Sequence, residues 1–332
     1  PADTDLLLFH ARSPADQRAT IERAVLHRFG KHGERPVRAL MVATQVAEQS
    51  LDLDFDLMIS DLAPIDLLLQ RAGRLHRHQR VRPAGRHEAR LVVAGLLPDR
   101  LPDLEGTAWG YVYSKWVLGR NWAFSSREHR GEQEWTLPGD IDRLVQRVYG
   151  GADLPDDLPA DARQFIETVA YGEFRSEESV MRMFAENASV DAGADLRQAY
   201  ASKPRGREAG EGLGAENRTR FGSDGVAAVP VHVEAGGWCL EPGGPPLDPD
   251  RRPEPALARR LLQRHVKLNR KALIQALSTD EVPAGWQAHP LLRDLHVLPL
   301  TDGRCTLGRL RVELDPQLGI VYTTAAEPGG TP

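Results

Sequence analysis

Continuous apolar runs and four-residue apolar spacings alternate along the first hundred positions. Leu6-Leu7-Leu8-Phe9 is a continuous run of the kind that a buried parallel strand shows. Ser13-Pro14 reads as an N-cap followed by a proline at the first helical position. Ile21, Val25 and Phe29 then recur at spacing four and line one face of a helix, which Gly30 ends. Val37 to Ala43 predicts a second strand, Leu57-Met58-Ile59 a third entered through Leu53 and Phe55, and Arg90 to Ala94 a fourth. Pro64 opens a helix expected to run through Leu67, Leu68 and Leu69 towards His78. Strands alternating with helices argue for a parallel sheet with helices on its faces.

The pattern changes further on. Residues 105–200 read mostly helical and hold an aromatic cluster of Trp109, Tyr111, Tyr113, Trp116 and Trp122. That cluster is either a packing surface or a platform for stacking bases. Residues 201–218 are Gly-rich, charged and poor in apolar groups, the composition of a mobile linker. Val226 to Val233 predicts a strand, placed at a sheet edge because Pro230 lacks an N–H. A Pro/Gly stretch at 242–255 leads into a basic helix through Leu257, Leu261, Leu268 and Leu277. The tail has hairpin character: Leu298 to Leu300, a turn at Asp302-Gly303, Leu307 to Leu314, then Ile320 to Thr323.

Length and composition narrow the class. At 332 residues, roughly two domains of about 150 residues are expected. Lys and Arg number 42 against 47 Asp and Glu, a formal charge of −5, which excludes a globally basic protein but not a local basic face. No apolar run approaches the ~18 residues of a membrane span, and the polar start does not read as a secretory signal. Two cysteines, Cys239 and Cys305, are too few for a disulfide scaffold or an all-cysteine zinc site. They fit a reducing compartment, so a cytoplasmic location is expected.

Two blocks carry candidate chemistry. Ala43-Thr44-Gln45-Val46-Ala47-Glu48-Gln49-Ser50-Leu51-Asp52-Leu53-Asp54-Phe55-Asp56 follows a buried strand, and its polar side chains crowd the carboxyl end, where open α/β sheets bind ligands. The second block is Gln70-Arg71-Ala72-Gly73-Arg74-Leu75-His76-Arg77-His78. On a helix, Arg74 and Arg77 would be neighbours on one face. Seven arginines and one acid, Glu88, lie between 71 and 90, an excess that suits a polyanion. The planar guanidinium fork matches phosphate oxygens.

Together these blocks resemble motifs V and VI in the second RecA-like domain of superfamily 2 helicases. More narrowly, they resemble the CRISPR-associated helicase–nuclease of type I systems, which the Cascade surveillance complex recruits. Leu8-Phe9-His10-Ala11-Arg12 resembles motif IV of that family. Thr219-Arg220-Phe221-Gly222, Leu268-Asn269-Arg270-Lys271-Ala272-Leu273 and Leu318-Gly319-Ile320-Val321-Tyr322 resemble its linker and C-terminal domain. The resemblance implies an ATP-driven 3′-to-5′ DNA translocase. Gln70 would contact the γ-phosphate or the attacking water, and Arg74 and Arg77 would be arginine fingers. Asp52 would meet the nucleotide sugar, Gln49 would couple nucleotide to motor, and Gly73 lies on the nucleotide side with them. Thr44, His10, Arg12 and Arg71 would touch single-stranded DNA, giving affinity without sequence reading.

The same resemblance divides the chain into an incomplete second RecA-like domain (1–104), a helical extension (105–200), a linker (201–218) and a small α+β C-terminal domain (219–332). No Gly-x-x-x-x-Gly-Lys-Ser/Thr loop, Asp-Glu-x-His box or His-Asp nuclease domain occurs. ATP and Mg²⁺ would therefore be held mainly by a first RecA-like domain, in cis or on a separate chain, and this chain alone is expected to be inactive. No metal site is expected on it. His76, His78 and His87 read as phosphate-facing or helix-end groups rather than ligands. The basic run at 251–275 is a solvated face or a DNA or Cascade contact. The alternatives are another superfamily 2 motor domain, or a non-catalytic module that docks DNA and Cascade.

Overall fold

A computed structural model describes residues 4–48, 51–125, 133–188, 193, 195 and 225–324; the expected linker at 201–218 lies outside these. The fold is α/β, with parallel strand pairs flanked by helices, a helical region and a small α+β C-terminal domain. The chain divides into two compact units, Pro1–Asp54 with Ser223–Pro332, and Phe55–Gly222.

In the first unit β1 (Asp5–Phe9) pairs in parallel with β2 (Ala39–Ala43), in register from Asp5↔Ala39 to Phe9↔Ala43. α1 (Ala15–Phe29) connects them and buries Val25 and Phe29, the predicted face. Gly30 closes it, its N–H donating to the Leu26 carbonyl at 2.9 Å. The start of α1 departs from expectation: Pro14 is the N-cap and no side chain caps the helix. The Ala15 N–H instead donates to the His265 carbonyl at 3.0 Å, so a tertiary partner replaces the local serine cap.

The same unit holds a five-stranded sheet. Its order is β7 (Pro246–Leu247), β6 (Gly237–Cys239), β5 (Val226–Glu234) and β8 (Val266–Leu268), with β9 (Leu295–Leu300) parallel to β5. β5 is thus central, not an edge. β8 covers Val226–Ala228 and β6 covers His232–Glu234. Pro230 falls in the gap between them, where that edge asks for no donor. Both faces of β5 are covered, so it reads as a nearly continuous apolar run. Val226 and Ala228 pack with Leu273 and Leu277 of α9 (Lys271–Ser278), while Val229 and Val231 pack with Leu261 of α8 (Pro255–Arg264) and with Trp286 of the short α10 (Ala284–Gln287).

The single basic helix expected across 257–277 is therefore two helices separated by β8. Val266-Lys267-Leu268 is buried, exposed, buried, a strand alternation inside what looked like helical spacing. The predicted turn at Asp302-Gly303 is present, with φ of 49° and 77°. A two-residue hairpin of type I′ needs positive φ at both positions. It joins β9 to β10 (Arg304–Leu307), followed by β11 (Leu310–Asp315) and β12 (Gly319–Thr324) in an antiparallel sheet.

In the second unit β3 (Met58–Asp61) pairs in parallel with β4 (Leu91–Ala94), with α2 (Ile65–Ala72) between them in sequence. Then follow α3 (Trp109–Val112), α4 (Lys115–Ser125), α5 (Ile141–Tyr149), α6 (Ala160–Gln164), a wide i→i+5 turn over Phe165–Ala170, and α7 (Tyr171–Ala188). α4 is buried all round from Trp116 to Phe124, the mark of a core helix. Trp122 is fully buried, and Trp116 stacks on Phe174 with centroids 4.5 Å apart. These two aromatics pack rather than present a platform; Tyr111 of the same cluster is exposed.

Candidate nucleotide and nucleic-acid interface

In the first unit, the loops that leave β1 and β2 share one end of the strand pair. The Thr44 N–H donates to the Phe9 carbonyl at 3.2 Å, which joins the two carboxyl ends. Thr44, His10 and Arg12 all follow those ends, where ligands meet open parallel sheets. Thr44 and Arg12 are exposed and His10 is half-buried.

The Arg12 N–H donates to His10 Nδ1 at 3.0 Å, which assigns the ring proton to Nε2. Burial first, and the Arg12 charge second, hold the imidazole below its ordinary value. At neutral pH His10 is therefore an uncharged Nε2–H donor, not a cation. A value lowered by folding means that acid favours the unfolded chain. The stability is present above about pH 6.5, the unfolded value, and is lost as pH falls through the folded one. On acidification from about pH 7.5 to below about pH 6.5, the unfolded value, His10→Gln is expected to lose less melting temperature than the wild type. Equal losses would refute this.

Asp52 is half-buried just before the tight end of its motif; Gln49 lies outside the described residues. Sequence reasoning missed what fixes that end. Asp54 is fully buried, with Arg35 Nη1 3.5 Å from its carboxylate and Arg35 Nη2 donating to its carbonyl at 2.6 Å. The Asp54 N–H donates to the Phe29 carbonyl at 3.0 Å. The motif's second half is thereby tied to the end of α1. Arg35 lies in an unpatterned polar loop, and nothing in its sequence context signals this.

In the second unit α2 ends at Ala72, well short of His78, so Arg74 and Arg77 do not share a helical face. Beyond Gly73 the chain extends alongside Phe55. The Phe55 N–H donates to the Arg74 carbonyl at 2.9 Å, and the His76 N–H donates to the Phe55 carbonyl at 3.1 Å. His76 then takes a left-handed φ of 48°. Arg74 is buried, whereas Gln70, Gly73 and Arg77 are exposed.

Arg71 faces its own unit: Nη1 donates to Ser60 Oγ at 2.6 Å and Nη2 to the Tyr113 hydroxyl at 3.2 Å. Arg82 pairs with Asp56 at 2.9 Å and donates to the His78 carbonyl at 2.7 Å. Exposed amide and guanidinium donors, as Gln70 and Arg77 present, suit phosphate oxygens. Among the described residues, no group of three or more His, Cys, Asp or Glu is placed to hold a metal ion, and no helix is long and apolar enough to cross a membrane.

Residues 1–80 match the family described as CRISPR-associated nuclease/helicase Cas3, C-terminal, and residues 220–320 match the Cas3 C-terminal domain. The CRISPR-associated endonuclease/helicase Cas3 of Thermus thermophilus is 38% identical over 333 residues, covering 96% of this chain and 35% of the relative. The T. fusca Cas3–AMPPNP crystal structure aligns with a TM-score of 0.74 at 32% identity, over 96% of this chain and 35% of that one. A chain of a CRISPR RNA-guided surveillance complex in a pre-nicking state aligns at 0.71 and 31%, over 96% and 37%. The chain thus spans about a third of the length of the relatives it matches.

Proposed function

With this chain matching the C-terminal portion of Cas3, we propose that it supplies the second motor domain and C-terminal domain of an ATP-driven single-stranded-DNA translocase in type I CRISPR interference. The carrying observation is the conformation of the Gln-Arg-x-Gly-Arg-x-x-Arg block. Two backbone bonds to Phe55 fix its turn; Gln70 is exposed on α2 before the turn and Arg77 is exposed just after it. The solved relatives include one with an ATP analogue and one described as a surveillance complex, which supports nucleotide binding and recruitment by Cascade.

In this reading residues 1–104 act as the motor domain, 105–200 as its helical extension, 201–218 as a linker and 219–332 as the C-terminal domain. Bound ATP with Mg²⁺ supplies the phosphoanhydride whose cleavage drives movement. Gln70 orients the γ-phosphate or the attacking water, and Arg74 and Arg77 offset the charge that develops there. Asp52 holds the nucleotide sugar, Gln49 relays nucleotide state, and Gly73 lets the backbone come close to the nucleotide. Thr44, His10, Arg12 and Arg71 contact single-stranded DNA, and Ser60 and Tyr113 hold the Arg71 guanidinium within its own unit. The nuclease and the first RecA-like domain act as partners of this part.

The 332-residue chain alone carries no phosphate-cradling Gly-x-x-x-x-Gly-Lys-Ser/Thr loop. It is expected to bind single-stranded DNA without hydrolysing ATP. Adding a separately made nuclease and first-motor part of a relative is expected to restore DNA-stimulated hydrolysis. DNA-stimulated turnover by the chain alone, abolished by Arg74→Ala, would overturn the assignment of inactivity. No turnover from the combined parts would overturn the motor role.

A further inference from the structure

Three segments distant in sequence converge in the first unit: the loop after β1, the residue that opens α9, and β12. The Arg12 guanidinium lies 4.8 Å from the Tyr322 ring centroid, and the Arg270 guanidinium also lies 4.8 Å from it. The two cations are therefore no more than twice that distance apart, which is within about one screening length at 0.1 M salt. Both arginines are exposed, and among the described residues neither has a carboxylate partner.

The backbone under this cluster is fixed. The Ile320 N–H donates to the Arg12 carbonyl at 2.9 Å. Gly319 lies so close that a Cβ there would sit 2.6 Å from the Arg12 oxygen, and its φ of 60° also favours glycine. Gln17 donates to the Pro316 carbonyl, and Arg264 pairs with Asp16 at 3.5 Å. The Arg270 carbonyl accepts from the Leu273 and Ile274 N–H groups as α9 begins. Tyr322 is half-buried against the C-terminal core and pairs with Val312 across the sheet. Two like charges are thus held together on an aromatic ring by rigid elements.

We propose that Arg12 and Arg270, organised on the Tyr322 ring, form a binding site for the phosphodiester backbone of single-stranded DNA. This rests on the translocase reading and adds to it a contact from the C-terminal domain. The site adjoins Thr44 and His10, at the carboxyl ends of β1 and β2. The guanidinium fork suits phosphate oxygens. A ring already occupied by two guanidiniums holds cations rather than stacking bases, so the contact is independent of sequence. Arg270 is the new contact, and Tyr322 is a positioning residue.

The test is fluorescence anisotropy of the whole 332-residue chain with fluorescein-labelled oligothymidine across a salt series. One lost phosphate contact lowers the slope of log K against log salt by about 0.7. Arg270→Gln and Arg12→Gln are each expected to lower it by that amount and to weaken binding roughly fourfold near 0.15 M salt. The exposed Arg309→Gln, elsewhere on the C-terminal domain, is expected to leave the slope unchanged. Tyr322→Phe is expected to bind like wild type, and Tyr322→Leu to lose slope at an unchanged circular dichroism spectrum. A wild-type slope in Arg270→Gln while Arg12→Gln loses slope overturns the shared site and leaves the translocase reading standing. Equal slopes for Tyr322→Leu and wild type overturn the ring's role. A wild-type chain that does not bind the oligonucleotide overturns the DNA reading and the site with it.

Discussion

In the complete helicase–nuclease, Arg77→Gln is expected to cut DNA-stimulated ATP turnover by about a thousandfold, with the KM for ATP changing only a few-fold. An arginine aimed at a transferring phosphoryl group is worth at least about 10³ in rate, or about 4 kcal/mol of barrier. On the proposed reading the loss falls on kcat, because an arginine finger meets charge that exists mainly in the transition state. Arg77 separates this from folding. It is exposed, and it follows a segment whose backbone is already held by Phe55. The left-handed His76 turns the chain just before it, which fixes where the arginine emerges. Arg74 is a different case, because it is buried and contributes to its own turn. Arg74→Gln is therefore expected to lose turnover and also melting temperature, so both must be measured. Turnover within threefold of wild type in Arg77→Gln, on the scale of those 10³ effects, would remove the finger role from that residue.

The two blocks stand out in the sequence, because their residue types are ones that a packed loop does not need. Their placement was less legible. Leu75 continues the apolar spacing of Leu67, Leu68 and Leu69, so periodicity runs straight through Gly73 and extends the helix too far. Leu75 is buried for another reason, its bridge to Phe55. Pro230 misled in the same way: a local rule about a missing donor was overridden by two partner strands that leave a gap opposite it. Local signals with a single local solution were read correctly. The spacing of Val25 and Phe29, the stop at Gly30 and the Asp302-Gly303 turn all belong to this class. Contacts closed by distant residues carry no such signal. Arg35 with Asp54, and Arg12 with Arg270 on Tyr322, become visible only once the chain is folded.

The second large effect concerns stability, at Arg120. Arg120→Met is expected to destabilise the unit Phe55–Gly222 by about 3 kcal/mol. The guanidinium is buried in α4 and finishes the end of α5. Nε donates to the Val148 carbonyl at 2.6 Å, and Nη2 donates to the Arg147 and Ala152 carbonyls at 3.0 and 2.7 Å. A cation there also meets the negative end of the α5 dipole. Burial lowers the Arg120 pKa, with Asp153 acting in the opposite sense, so the charge is held at a cost. Removing it recovers that cost but leaves three carbonyls without a charged donor, and each such bond is worth about 1.5–3 kcal/mol. The carbonyls outweigh the relief. Methionine keeps most of the volume and the contacts with Trp116 and Phe124, so the loss reports the bonds rather than a cavity. Arg120→Lys is expected to lose about half as much, since one ammonium keeps the charge but not the fork. Urea unfolding followed by tryptophan fluorescence reads mainly this unit, because four of the six tryptophans, Trp109, Trp116, Trp122 and Trp135, lie within it. A midpoint for Arg120→Met equal to that of wild type would mean that the desolvation cost cancels the three bonds, and that α5 is held by its apolar face through Leu144 and Val148 alone.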